Sequence, residues 1–228
     1  MWQMDENLKA FELWDKGEYS EAIQVLLNQI EENPENMASY YNLANMLLVA
    51  KKEEDAKAVL LVANEKSPNH PEILYAFGTY YYQIEDYPQG IHAFLAVFQQ
   101  DTYLKKDSLV MIAQCYIALG NPQKALVYLL TAEEIDGTDS DVLIVMGNTF
   151  MQIKDFKQAQ EYFKKVTEVT PKNAEAWFKR GLTSLVLNEE KKLVESYFNQ
   201  SMELDPVFYQ KNRQQLAEIQ AFIQKNED

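Results

Sequence analysis

One cysteine, Cys115, and two histidines, His70 and His92, are all that this 228-residue chain carries of either type. A lone cysteine excludes an internal disulfide and suits a reducing compartment. The N-terminal stretch MWQMDENLKAFELW is acidic and amphipathic, with no basic-then-apolar leader, so the expected location is cytoplasmic. One Cys and two separated His make no metal site, and no cofactor is expected. Cys115 lies between Ala113 and Tyr116 and reads as a small buried hydrophobe rather than a nucleophile. Glycine and proline are scarce, seven of each, too few for many strands joined by turns. No two glycines fall within four residues of each other, which removes a glycine-rich phosphate loop. No apolar run approaches the ~20 residues of a membrane span. Positive charge is also in deficit: 21 Lys and Arg against 35 Asp and Glu leave a net charge of −14. A polyphosphate partner needs the opposite sign, so nucleic acid is excluded, and anionic membranes and acidic peptides are disfavoured. A neutral or basic protein partner fits better, although the same excess also keeps a chain dissolved without any partner. The tyrosine run YYYQIEDY lacks the basic neighbours that base stacking on RNA would need. The carboxylate pairs Glu53-Glu54, Glu133-Glu134 and Glu189-Glu190 fall at turns or near helix ends, where they are solvated charge. With no reactive constellation, the chain is expected not to be an enzyme.

What is abundant is self-similarity. EYSEAIQVLLNQIEENPENMASYYNLA, from Glu18, and DFKQAQEYFKKVTEVTPKNAEAWFKRG, from Asp155, share an aromatic second, Ala fifth, Pro seventeenth and Asn nineteenth. The small residues Ala22, Ala56, Gly90, Ala125 and Ala159 fall 34, 34, 35 and 34 residues apart, and Val194 takes a sixth place. Pro34, Pro68, Pro171 and Pro206 follow their anchors by twelve. Bulky Tyr40, Leu74, Leu109, Leu143 and Trp177 each precede a small residue by four: Ala44, Gly78, Ala113, Gly147 and Gly181. Apolar residues recur at steps of three and four, broken in mid-unit by polar turns such as AKKEED, LGNPQ and LNEEK. Each unit is therefore two helices of ~14 residues joined by a short turn. Glycine inside a helix costs about 0.5–1 kcal/mol relative to Ala, so its repetition at one register implies close helix crossing, with the bulky residues filling the gaps.

A 34-residue period with this spelling resembles the tetratricopeptide repeat family. The match is fullest in Leu143, Met146, Gly147, Phe150, Phe156, Ala159, Phe163 and Pro171. The resemblance covers about residues 3–206 and implies an all-α fold, a right-handed αα-superhelix or solenoid. It would form a single domain of six helix pairs at about 3–36, 37–70, 71–104, 105–138, 139–172 and 173–206. Trp2 and Met4 belong to the first, irregular pair. Residues 207–226, with Val207, Leu216, Ile219, Phe222 and Ile223 at apolar spacing, are expected to cap the open end.

The resemblance also implies a peptide-binding groove lined by the first helix of each pair. Carried over by position, it takes Asn7, Phe11 and Trp14, then Tyr41, Asn45 and Leu48, then Tyr75, Thr79 and Tyr82. It continues with Val110, Gln114 and Ile117, then Ile144, Asn148 and Met151, then Phe178, Leu182 and Leu185. Asn45, Gln114 and Asn148 recur at one register with Thr79 among them, and a side-chain amide can pair with a peptide backbone. The neighbouring aromatic and aliphatic stripe suits an extended segment or an amphipathic helix. The alternative is that the stripe packs on neighbouring helices while the amides face water. Lys and Arg clamps for acidic chain termini are not matched: Glu72, Asp107, Asp141 and Glu175 stand at the start of these helices, and only Lys179 and Arg180 are basic nearby. The expected function is a protein-interaction scaffold; the alternative is self-association into a homo-oligomer through the stripe.

Overall fold

The computed structural model describes residues 6–227. Among them are thirteen α-helices and no strand. Backbone contacts gather these into two compact units, one ending at Leu119 and the other beginning at Gly120, and the array expected as one domain is described as these two. The first unit holds α1 (Glu6–Asp15), α2 (Tyr19–Glu32), α3 (Met37–Val49), α4 (Glu53–Lys66), α5 (Pro71–Gln83), α6 (Tyr87–Phe98) and α7 (Lys105–Ala118). The second holds α8 (Pro122–Ile135), α9 (Ser140–Gln152), α10 (Phe156–Val169), α11 (Ala174–Val186), α12 (Lys191–Leu204) and α13 (Pro206–Glu227). Trp2 and Met4 lie outside the described residues, as do the side chains of Ile219, Phe222 and Ile223.

Local chemistry sets the helix ends. The carboxylates or amides of Asp86, Asn121, Asp139, Asp155 and Asn173 accept from backbone N–H groups in the first turns of α6, α8, α9, α10 and α11, satisfying donors that the helix cannot. Asp205 does the same for α13, accepting from the Phe208 N–H at 2.9 Å. The polar turn inside each repeat closes on one left-handed residue: Gly17, Lys51, Glu85, Gly120, Lys154 or Asn188, with φ between 55° and 81°. Around Lys51, for example, the Lys51 and Lys52 N–H groups donate to the carbonyls of Leu48 and Leu47 at 3.0 and 2.9 Å, the Schellman closure. Only two of the six positions use glycine, so the other four carry a Cβ in a strained backbone region.

The repeated small residues have a more specific partner than a facing helix backbone. A Cβ built on Gly78 would lie 2.5 Å from the ring of Phe94, one on Gly147 2.7 Å from Phe163, and one on Gly181 2.8 Å from Phe198. Each glycine is thus the seat of an aromatic ring from the second helix of its own pair. Where the first helix carries Ala instead, at Ala10 and Ala44, the equivalent second-helix residue is Leu26 or Leu60, and all four are fully buried in one core. Gly goes with Phe and Ala with Leu, which keeps the summed volume of the contact nearly constant. Of the bulky fillers, Tyr40 and Leu143 are buried. Trp177 is a correction: it is only half-buried, with its indole N–H donating to the Pro171 carbonyl at 2.8 Å.

In the second unit α13 lies on α11 and α12. Phe178 meets Phe198, Phe208 and Tyr209 edge-on, at centroid distances of 5.4, 5.8 and 5.9 Å, and Leu216 joins the same core. Val207, grouped with the apolar residues of this helix from the sequence, is 79% exposed instead.

Candidate interaction surface

In the first unit α1, α3 and α5 pack side by side, so their outward faces form one surface. Residues 42, 45, 46 and 49 share one side of α3 by helical spacing. Together with Phe11, Trp14 and Tyr41 they line a notch of about 280 Å³. Buried Met46 forms its floor, while Phe11 and Val49 stand 45% and 64% exposed at its mouth. Four residues expected from the sequence, Phe11, Trp14, Tyr41 and Asn45, therefore meet here. Asn42, Met46 and Val49 were missed, because the positions carried over from the family skip them. No stripe in the sequence marks them, because α3 is apolar nearly all round.

The polar groups are more engaged than the sequence implied. Asn7 accepts at Oδ1 from Asn42 Nδ2 at 3.1 Å and Ser39 Oγ at 3.4 Å, which ties α1 to α3. Burial raises the Tyr41 hydroxyl, and the Asn45 side chain beside it pulls the other way. Thr79 donates back to the carbonyl of Tyr75 at 3.2 Å, so its hydroxyl hydrogen is spent within its own helix. Aromatic rings continue the surface: Tyr41 and Tyr75 lie 6.3 Å apart and Tyr82 meets Tyr87 at 5.6 Å, while Tyr75 rests on buried Phe94 at 5.2 Å. Burial first, and then the negative charge of neighbours, holds the Tyr41 and Tyr75 hydroxyls above the usual tyrosine range.

Gln114 is half-buried on α7, and Asn148 and Met151 are half-buried on α9 in the second unit. Three expected lining residues are corrected. Leu48 is 1% exposed and belongs to the core of the first unit. At the same register Tyr82 stays half-exposed, since a phenol has a polar tip to keep in water and a leucine does not. Phe178 is 0% exposed because α13 covers it, and Leu182 is enclosed with it. Cys115 is buried and its thiol is pushed up to about 11 by burial, as befits a packing residue. Arg180, the one arginine near these faces, lies 4.4 Å over the Tyr197 ring and donates to Thr167 Oγ1 at 3.0 Å. Among the described residues no group of three or more His, Cys, Asp or Glu could hold a metal ion, and no helix is long and apolar enough to cross a membrane.

A family model described as tetratricopeptide repeat matches residues 13–76 and 116–180, and a second of the same description matches 75–140. A TPR repeat-containing protein of Methanocaldococcus jannaschii is 22% identical over 179 residues, 74% of this chain and 31% of that protein. Tetratricopeptide repeat protein 12 of Mus musculus is 32% identical over 91 residues, 40% of this chain and 13% of its own length. The chain thus spans under a third of either relative. Among solved structures, PilW, described as a type IV pilus biogenesis factor, gives a TM-score of 0.77 at 16% identity over 89% of this chain and 93% of that one. Pseudomonas aeruginosa pilF gives 0.75 at 15% identity, over 92% and 96%. YrrB, described as a TPR protein with an unusual peptide-binding site, gives 0.59 at 25% identity, over 80% and 93%.

Proposed function

This chain belongs to the tetratricopeptide repeat family, whose fold is a protein-interaction scaffold, and on that premise we propose that it is a non-enzymatic adaptor holding a short segment of a partner protein. The segment lies on the α1–α3–α5 face of the first unit. The observation that carries this reading is the notch: an apolar floor at Met46, exposed apolar walls at Phe11 and Val49, and polar side chains at its edge. Large exposed apolar side chains beside a cavity favour occupation by a partner's side chain, because each covered square ångström of apolar surface contributes about 25 cal/mol. The peptide-binding site named for YrrB supports the same mode of use.

Peptides selected from a random displayed library against the full chain, followed by fluorescence anisotropy, test the reading. Phe11→Ala with Tyr41→Ala should abolish measurable binding of selected peptides, and circular dichroism should still show a folded chain. Binding that survives both substitutions places the site elsewhere. A second reading, self-association, is favoured by Val127 and Leu130, one turn apart on α8 and 61% and 46% exposed. Light scattering that gives one monomer mass across a concentration series removes it.

A further inference from the structure

Beside the notch stand three tyrosines and two carboxylates on the same unit. The Tyr41 and Tyr75 rings lie 6.3 Å apart and are tilted by 58°, so a cation between them can sit within the ~6 Å of both centroids that the ring quadrupoles require. Tyr103, 73% exposed in the segment before α7, donates its hydroxyl to Glu72 Oε1 at 2.6 Å. That bond fixes the Glu72 carboxylate and leaves Oε2 to an incoming donor. We propose that this cluster takes the side-chain cation of a lysine or arginine in the partner segment, held between Tyr41, Tyr75 and Tyr103 and neutralised by Glu72. The inference rests on the docking reading above and adds the chemistry of the guest.

Three observations carry it. The tyrosines lie in a negative field: after burial, the charges of Glu72 and Asp107 help to hold the Tyr41 hydroxyl above its ordinary value, Asp107 acts likewise on Tyr75, and Glu72 and then Asp107 act on Tyr103. An added cation would relieve that field. Next, α3 and α5, the helices that carry Tyr41, Glu72 and Tyr75, contribute no basic residue of their own. Finally, a net charge of −14 draws basic segments toward the surface from a distance. Because Tyr41 borders both the notch and the cluster, the guest pairs a bulky apolar residue with a cationic one close by in its sequence.

The test uses the full chain and the same random peptide library. Selected peptides should carry an apolar residue and a Lys or Arg near each other. Replacing that cation by norleucine should weaken binding to the parent about tenfold, less so at high salt. Glu72→Gln should weaken the parent peptide similarly, and against this variant the norleucine peptide should lose little further, the coupling of a shared site. A norleucine loss of the same size in both proteins overturns the proposal. Peptides lost on Phe11→Ala that contain no required cation also overturn it, while leaving the notch as the docking site. Peptides indifferent to Phe11 and Tyr41, or no enrichment at all, remove both readings. Melting curves for Glu72→Gln separate a binding defect from a folding one.

Discussion

Tyr41 in the first unit and Phe178 in the second occupy the same place in their repeats, yet one borders an open notch and the other is sealed. Phe178 is closed off by Phe208, Tyr209 and Leu216 of α13, whereas α1, α3 and α5 keep Phe11 and Val49 at the surface. The repeat register says only which side of a helix a residue takes. Whether that side meets water, a guest or another helix depends on what is stacked against it. The second unit uses its own C-terminal helix as a permanent occupant of the face that the first unit leaves open. The aromatic contacts of Phe208 and Tyr209 with Phe178 show the kind of side chain such a face accepts.

The largest test of this contrast is Phe178→Ala. Fully enclosed by three aromatic neighbours, the ring should take about 3–5 kcal/mol of stability with it, visible as an earlier urea midpoint. A near-parent midpoint would mean that α13 does not seal the face. Gly78→Ala comes next, at about 1–3 kcal/mol, since the new Cβ is driven into the Phe94 ring. Adding Phe94→Leu converts the Gly–Phe contact into the Ala–Leu form found at Ala44 and Leu60. The double variant should be more stable than Gly78→Ala alone, and simple additivity of the two losses would refute volume matching. Phe11→Ala should cost only about 1 kcal/mol, because nearly half of the side chain is already in water. The comparison between units breaks if its cost matches that of Phe178→Ala. The smallest effect is a gain: Glu85→Gly relieves a left-handed residue at φ 62° and should raise stability by about 0.5 kcal/mol. The same change at Glu53, inside α4, should lower it.

Much of the fold was legible because periodicity is a one-dimensional property. The Ala and Gly anchors, the prolines twelve residues beyond them and the polar turns located helix pairs without any long-range information. Most of the proposed surface was legible as well, since Phe11, Trp14, Tyr41 and Asn45 do converge. Leu48 and Phe178 were misplaced for a physical reason: position on a helix face is local, but burial is a property of the neighbours. Asn42 and Val49 escaped because α3 is apolar nearly all round, so no single stripe marks its exposed side. The partner of each glycine was also hidden, since Gly78 and Phe94 are sixteen residues apart and nothing local announces that one seats the other.

By itself the amino-acid sequence determined that this protein is all helix, that its helices come in pairs of a fixed length, and where each pair turns. Those features follow from backbone preference, capping and spacing within a few residues. Tertiary structure alone decided which faces stay open, that Tyr103 reaches back to Glu72, and that α13 closes the second unit. These depend on side chains tens of residues apart reaching the same few ångströms, and packing forces act at that range without regard to distance along the chain.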